Sequence, residues 1–484
     1  SDAWTYEVTT NLPNGCTASV DVVVTNNTKL WKGTNSQDWT DPNNWSPIGV
    51  PSIDNCVVID SQSIIDDLTT YDAYGKNLTV KPTGKLTLDS THNLIIKEWV
   101  QVETGGTFDL ENNSSLIQID NVANNGTVTY RRNADNIIGS DYVYWSSPVV
   151  NQPLNSIYTI PTQGPKYKWN PISTNTNGGQ GNWENANGNT METARGYIVR
   201  GSSNASMSAT TINSSFVGVP NNGTIFKTVQ RGTYTGGSYS GTNGITITNG
   251  EDNWNLIGNP YPSAINALQF LSDNSSVIEG NVRLWTHNTA IGPNNGSTIN
   301  NPFYGSYAYN YSTNDYITIN FLGSTEPLAD EFIRTGQGFF VQMFDGPAIT
   351  TNVTFNNAQR SNTYANDNFF RTFNEIETDS TGLPNLERHR IWLDLVDANN
   401  NPTRSLIGYI EGATLGFDSF FDATNRPSNS VGIFSLIGTE IYSIQGRPLP
   451  FNQNDQVPLG IYIPSVGTYT LAINKVDGLF ENPT

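Results

Sequence analysis

The 484-residue chain is long enough to bury several cores. Its 24 Lys and Arg against 43 Asp and Glu leave a net charge of -19, which on average repels nucleic-acid phosphates and anionic membranes, so nucleic acid is not an expected partner. Charged residues are only 14 %, against roughly 25 % in ordinary globular proteins, and the Asn, Thr, Ser and Gly that replace them predict an all-β chain of strands and tight turns with almost no helix.

No apolar run approaches the roughly 20 residues of a membrane-spanning helix, and no leader-like segment stands at Ser1, so a transmembrane segment is not expected and any export signal is expected upstream. Cys16 and Cys56 are too few for a disulfide framework or a zinc site. They could pair with each other, but Cys56, in Cys56-Val57-Val58-Ile59, reads better as a buried thiol.

Residues 1–28 alternate apolar and polar from Ala18 to Val24 after a turn at Asn11–Gly15, as the last hairpin of an immunoglobulin-like domain would. Residues 29–135 form the next unit. Trp31, Trp39 and Trp45 stand close together among Gly, Asn, Asp and Pro. Exposed tryptophans stack on sugar rings, which makes these three the carbohydrate-stacking candidates; large aromatics mostly supply buried area, however, and a cap on the following unit is the favoured account. Gly84-Lys85-Leu86-Thr87-Leu88, Gly106-Thr107-Phe108-Asp109-Leu110 and Gly126-Thr127-Val128-Thr129-Tyr130 then repeat a glycine turn and an alternating strand at steps of 22 and 20 residues. That is the length of one coil of a parallel β-helix, and three coils predict a short β-solenoid. Some β-helices cleave acidic polysaccharides, but Lys97, Asp109, Glu111 and Asp120 stand singly, without the clustered carboxylates such chemistry needs.

From residue 136 one motif series is written twice. Asp141–Pro148 is answered by Asn253–Pro260, Tyr167-Lys168-Trp169-Asn170 by Arg283-Leu284-Trp285-Thr286, and Gly196-Tyr197-Ile198-Val199 by Gly338-Phe339-Phe340-Val341. Each half closes on an Asn-Asn turn, at Asn221-Asn222 and Asn356-Asn357. Conserved order with unequal loops is what duplication leaves, and it predicts two copies of one β-sandwich module at 136–250 and 251–361. Their glycines before Tyr197 and Phe339 are expected where two backbones approach closely, and Trp169 and Trp285 are expected in the cores. Residues 362–386 read as a linker whose Phe369, Phe370 and Phe373 dock on a neighbour. Residues 387–484 read as a C-terminal β-sandwich, beginning with Arg390–Leu395, a turn at Asp397–Pro402, and a returning strand at Leu406–Ile410.

Candidate chemistry is sparse. His92, His287 and His389 lie far apart, each better suited to a local hydrogen bond than to a metal or a proton transfer. Asp394, Asp397, Asp418 and Asp422 are the one candidate calcium set, although no EF-hand or RTX spacing supports it and solvated turn carboxylates are the favoured account. Arg390 and Arg447 are expected as buried ion-pair partners within strands.

Several phrases together resemble a known family: Trp31-Lys32-Gly33-Thr34 with Asn44-Trp45-Ser46 and Val50-Pro51, Trp145-Ser146-Ser147-Pro148, Asn255–Pro262, Gly336–Phe340, Phe369-Phe370-Arg371, Arg390–Leu393, Ile444–Phe451 and Val476–Phe480. They are similar to the carboxy-terminal region of large flavobacterial surface proteins exported by the type 9 secretion system of Bacteroidota, among them adhesins of the gliding apparatus. The resemblance implies a secreted, non-enzymatic cell-surface protein at the outer membrane. It also implies a type C-like sorting region from Phe369 onward, with the outer-membrane translocon barrel and its shuttle protein as partners. A second expectation is a carbohydrate-binding region of a larger secreted polysaccharide-degrading enzyme, with surface glycans bound at the three tryptophans.

Overall fold

The computed structural model describes residues 3–11, 17–25, 27–65, 72–137, 141–158, 164–174, 180–201, 210–232, 239–240, 246–247, 253–286, 315–327, 330–367, 386–398, 400–425 and 431–481. Cys16, His287 and Phe369, Phe370 and Phe373 lie outside them. The architecture is all-β, and the chain divides into two compact units, Ser1–Thr129 and Tyr130–Thr484.

The first unit opens with an antiparallel hairpin, Ala3–Asn11 against Thr17–Thr25. A short stack of coils follows, built as three parallel ladders. Cys56–Ile59, Asn77–Val80 and Val100–Val102 form one ladder, Gln62–Ile65, Lys85–Leu88 and Thr107–Leu110 the second, and Ala73–Gly75, Asn93–Ile96 and Ser115–Gln118 the third. Register keeps like with like: Val57 over Leu78 over Val100, Leu86 over Phe108, and Leu94 over Leu116. Each coil therefore adds apolar side chains to one continuous interior, where these residues are at most 1 % exposed. The repeated glycines stand where the preceding coil's backbone passes. A Cβ on Gly84 would lie 2.3 Å from the Ile59 carbonyl oxygen, one on Gly106 2.5 Å from that of Lys81, and one on Gly126 1.9 Å from that of Val102.

In the second unit the duplicated motifs build two antiparallel sheets with one strand order. The first runs Tyr142–Trp145, Tyr197–Arg200, Lys166–Thr174, Gln180–Asn185; the second runs Trp254–Gly258, Gly338–Met343, Ile278–Trp285, Tyr316–Asn320. The four corresponding strands read first, fourth, second, third in both, and Gly323–Ser324 adds a short fifth strand beside Tyr316–Asn320 in the second. Register assigns the faces. Tyr144, Ile198, Tyr167, Trp169 and Trp183 share one face of the first sheet; Trp254, Leu256, Phe340, Arg283, Trp285 and Tyr316 share one face of the second. These two faces meet. Tyr144 stacks on Trp285 with ring centroids 5.5 Å apart, Trp169 and Trp183 pack edge-on to Phe340 at 5.7 and 6.1 Å, and Trp169 Nε1 donates to the Trp254 carbonyl at 2.9 Å. Trp169 and Trp285 thus fill one shared aromatic interior.

Contacts between the copies are reciprocal. By motif alignment Trp145 corresponds to Ile257, Ser146 to Gly258, Ala194 to Gly336 and Arg195 to Gln337. Trp145 bridges to Gln337, and Ile257 bridges to Arg195. Ser146 N donates to Gly336 O at 2.7 Å, and Gly258 N donates to Ala194 O at 3.1 Å. Ala194 and Gly336 share a left-handed backbone, φ +58° and +68°. The copies are therefore related by an internal two-fold axis, with equivalent residues swapping roles as in an isologous dimer interface. Ser146 and Gly258 sit at the axis and face each other: a Cβ on Gly258 would come within 2.3 Å of Ser146 Cβ. Nearby, Gly196 packs so tightly on Leu256 that a Cβ there would fall 2.5 Å from its Cγ.

Each sheet's other face is covered by its own copy. In the first copy Trp145 packs on Tyr158 and Phe216, and its Nε1 donates to Tyr158 Oη at 2.9 Å. In the second, the same connection holds a helix, Ala267–Asp273, the one α-helix among the described residues. Asn266 caps it by accepting from Gln269 N, and Leu268, Phe270 and Leu271 are buried on Phe339 and Phe355. The strands Ile225–Gln230 and Thr350–Phe355, one from each copy, pair with each other.

The C-terminal residues form a seven-stranded sheet in the order Leu459–Tyr462, Gly432–Ile437, Glu440–Pro448, Pro402–Ile410, Arg388–Val396, Thr470–Val476, with Ala423–Thr424 also on Glu440–Pro448. Its central pair, Pro402–Ile410 and Glu440–Pro448, is parallel. Trp392, Leu406, Ile410 and Ile444 cover Leu322 of the second copy, and Trp392 Nε1 donates to Ser324 O at 2.8 Å. The two rim strands leave apolar side chains in solvent: Leu459 and Ile461 on one rim, Leu471 and Ile473 on the other, the last 66 % exposed.

Candidate functional site

The three tryptophans proposed to stack on sugars are buried. Trp31 is 0 % exposed, and Trp39 and Trp45 1 % each. Trp31 and Trp39 meet Trp45 edge-on at 4.9 and 4.6 Å. Their loop is held from inside by Asn44, whose Oδ1 accepts from Asn35 N and Ser36 N while its Nδ2 donates to Ser36 Oγ and Asp38 O. Trp31 Nε1 donates to Gln62 O at 2.8 Å and Trp45 Nε1 to Trp39 O at 2.8 Å, which ties the cluster to the coil ladder. Rings with no accessible face cannot stack on a glycan, and Trp31, Trp39 and Trp45 instead build a cap.

The proposed calcium carboxylates are likewise not gathered. Asp394 takes a bidentate contact from Arg404, at 2.6 and 2.9 Å, because the two stand opposite in the hairpin register. Asp397 accepts from Asn401 N at 2.9 Å in its own turn. Asp418 accepts from Thr414 N, while Asp422, 1 % exposed, accepts from Asp418 N at 2.6 Å and Gly446 N at 2.8 Å. Burial raises the Asp422 carboxyl to about 6, against the pull of those two N–H donors. Among the described residues no three His, Cys, Asp or Glu side chains gather to hold a metal. Cation and backbone donors already occupy these carboxylates, so no calcium site is assigned to them. His92 Nδ1 faces Ser90 O at 2.8 Å, and His389 lies between Glu387 at 3.1 Å and Leu479 N at 3.2 Å. Asp109 and Thr87 face each other across one ladder, and Asp120 N donates to Lys97 O across adjacent coils.

A different constellation forms where several family-like phrases converge. Arg390 binds Asp477 through its backbone N and its Nε, both at 2.8 Å. Gly478 follows in a left-handed conformation, φ +60°, where any Cβ would lie 2.3 Å from His389 Nδ1. The turn delivers Phe480 against Tyr409 and Phe451, with centroids 5.9 and 5.3 Å away, and Tyr409 meets Phe451 edge-on at 4.8 Å. Beside this triad Arg447 pairs with Asp455 through Nε at 2.9 Å and through Nη2, and Tyr409 Oη donates to Asp455 at 3.0 Å. The Arg447 hydrogen bond holds the Asp455 carboxyl below its usual range, and burial with the Asp455 bond pushes Tyr409 up to about 12. Arg390 and Arg447 are ion-pair partners within strands; Arg447 is buried as expected, while Arg390 is half-buried. Asp455, Asp477 and Tyr409 were missed; the only signal was a lone Asp a few residues from each aromatic anchor. The arrangement offers no nucleophile with a base. It is a clasp that fastens Val476–Phe480 onto Arg390 on one side and onto Tyr409 and Phe451 on the other.

The chain belongs to the family described as Domain of unknown function (DUF8693), which it matches over residues 30–484. No curated protein and no solved structure matches it.

Proposed function

We propose that this DUF8693 chain is the non-enzymatic carboxy-terminal scaffold of a secreted bacterial cell-surface adhesin, exported as cargo of the type 9 secretion system and displayed at the outer membrane. One observation supports the reading above the others: the phrases that carry the resemblance are framework. Trp145-Ser146-Ser147-Pro148, Asn255–Pro262 and Gly336–Phe340 build the two-fold junction. Arg390–Leu393, Ile444–Phe451 and Val476–Phe480 build the clasp. Asp394, Asp397, Asp418, Asp422, His92 and His389 are held by local partners, which suits a stalk better than a cleft. The partners on this reading are the translocon barrel and its shuttle protein.

The test follows the native, full-length protein in its host with the type 9 translocon intact or inactivated. Intact cells are expected to display it to added protease, and its outer-membrane purification is expected to bring the barrel or the shuttle protein with it. Without the translocon it is expected inside the outer membrane. Display that survives loss of the translocon would overturn the proposal.

A further inference from the structure

Both copies turn after their third strand on the same Asn-x-x-Gly pattern, Asn185-Ala186-Asn187-Gly188 in the first and Asn320-Phe321-Leu322-Gly323 in the second. In each, the asparagine Oδ1 accepts from the backbone N two residues on, Asn187 N at 2.8 Å and Leu322 N at 2.9 Å, and the glycine has a positive φ, +81° and +144°. The tips differ. Asn187 is exposed, and among the described residues nothing stands within 4 Å of a Cβ built on Gly188. Phe321 and Leu322 are apolar, and Leu322 is 0 % exposed.

What buries Leu322 is the C-terminal sheet. Gly408 and Gly446 lie opposite each other on its central parallel pair, and their missing side chains make room. A Cβ on Gly408 would lie 2.6 Å from Leu322 Cδ1, and one on Gly446 2.6 Å from Phe421 Cβ. The turn's backbone is held as well. Arg390 Nη1 donates to Leu322 O at 3.2 Å, Trp392 Nε1 to Ser324 O at 2.8 Å, and Phe321 N to Phe420 O at 3.1 Å. Arg404 adds an ion pair to Glu326 at 2.6 Å. Any Cβ on Gly323 would fall 2.5 Å from Arg390 Nη1, so a glycine lets the guanidinium approach. Two cores meet at this turn without merging. Among the described residues Leu322 is the second copy's only member of the buried cluster around Trp392, Leu406, Ile410 and Ile444, while Phe321 packs on the second copy's own core.

An apolar anchor seated on a bare patch of sheet and surrounded by hydrogen bonds is the anatomy of a docking contact. We propose that the Gly408–Gly446 patch of the C-terminal sheet is a docking site for an Asn-x-x-Gly turn with an apolar tip, and that Leu322 is the residue by which it takes the second copy's turn and not the first's. Asn187, at the same place in the first copy's turn, would carry an amide into an apolar contact, which is unfavourable unless that amide finds hydrogen bonds there.

Amide exchange in the full chain tests this, because the Phe321 N–H crosses the contact. In the unmodified protein under rising urea, Phe321 is expected to lose protection before the core strand Gly338–Met343, as a docked module releases before the sheets unfold. Loss of protection in both at the same urea concentration makes the C-terminal sheet and the second copy one cooperative core and overturns the proposal. Leu322→Asn, which gives the second copy the first's tip residue, is expected to speed Phe321 exchange about thirtyfold or more, the factor carried by a buried Leu side chain. Exchange in Gly338–Met343 and Tyr142–Trp145 is expected to stay unchanged, and Leu322→Met is expected to keep most of the Phe321 protection. Unchanged Phe321 exchange in Leu322→Asn overturns the proposal, as does faster exchange in all three segments. If Leu322→Asn does not fold, the urea series on the unmodified protein decides.

Discussion

Gly258→Ala is the sharpest probe of the internal two-fold axis. The new Cβ would meet Ser146 Cβ at 2.3 Å, Ser146 Oγ at 2.8 Å and Gln337 O at 2.9 Å, where carbon contacts settle near 3.5–4.0 Å. Overpacking of this kind costs roughly 1–3 kcal/mol, and loss of the glycine's freedom in the unfolded chain returns about 0.4–1 kcal/mol. A net destabilisation of about 1–2 kcal/mol is expected in urea denaturation of the full chain. Ser146→Gly alone removes the obstructing Cβ and is expected to cost no more than about 1 kcal/mol, mostly through the unfolded state. The double variant places the lone side chain on the opposite side of the axis. Because Ser146 already carries a Cβ against a glycine partner, the mirrored arrangement has room, and Gly258→Ala is expected to be nearly neutral in the Ser146→Gly background. A coupling of about 1–2 kcal/mol is therefore predicted; additivity within about 0.5 kcal/mol, the behaviour of independent sites, would refute the axis contact.

Trp45→Ala, which opens the cap, is expected to cost about 3–5 kcal/mol in the unfolding of the first unit, and glycan titration of the unmodified protein is expected to leave Trp fluorescence unchanged. Asp422 carries the pH prediction: burial sets its folded pKa at about 6, above the unfolded value of roughly 3.9. The folded state then holds the extra proton between these values, so stability contributed by Asp422 is full below about pH 4 and is lost as pH rises toward 6, by at most about 1.4 kcal/mol per pH unit; Asp422→Asn is expected to flatten that slope in urea midpoints. Asp477→Asn removes the charge facing Arg390 and is expected to cost about 1–3 kcal/mol, read as earlier proteolysis of the C-terminal strands and a lower urea midpoint.

Much of the scaffold was legible because its signals are local or periodic. The 22-residue step of Gly84 and Gly106 is a direct image of one coil, and the paired phrases around Trp145 and Ile257 keep their order because each builds the same strand. Strand pairing was not legible, since placing Tyr197–Arg200 between Tyr142–Trp145 and Lys166–Thr174 depends on long-range contacts that no window of sequence contains. The helix Ala267–Asp273 escaped because seven residues are too few to show a period, leaving Asn266 as its one start signal. The tryptophans looked available for ligands because their neighbours are turn formers; burial came from Asn44, whose side chain satisfies the loop's own backbone. Asp394 looked like a metal ligand by proximity to Asp397, yet alternation along the strand and the register with Arg404 give it to a cation instead.

The open rims of the C-terminal sheet have a colloidal consequence. A rim with apolar side chains and no further strand is a template on which another chain can add one, and among the described residues Leu459 with Ile461, and Leu471 with Ile473, present two such templates on one sheet. What opposes rim-to-rim joining between molecules is their shared negative charge of -19 each. That barrier reaches only as far as the ionic atmosphere allows, about 10 Å at 0.1 M salt and about 3 Å at 1 M. Concentrated salt thus turns a set of mutually repelling molecules into one whose sheets are free to extend each other.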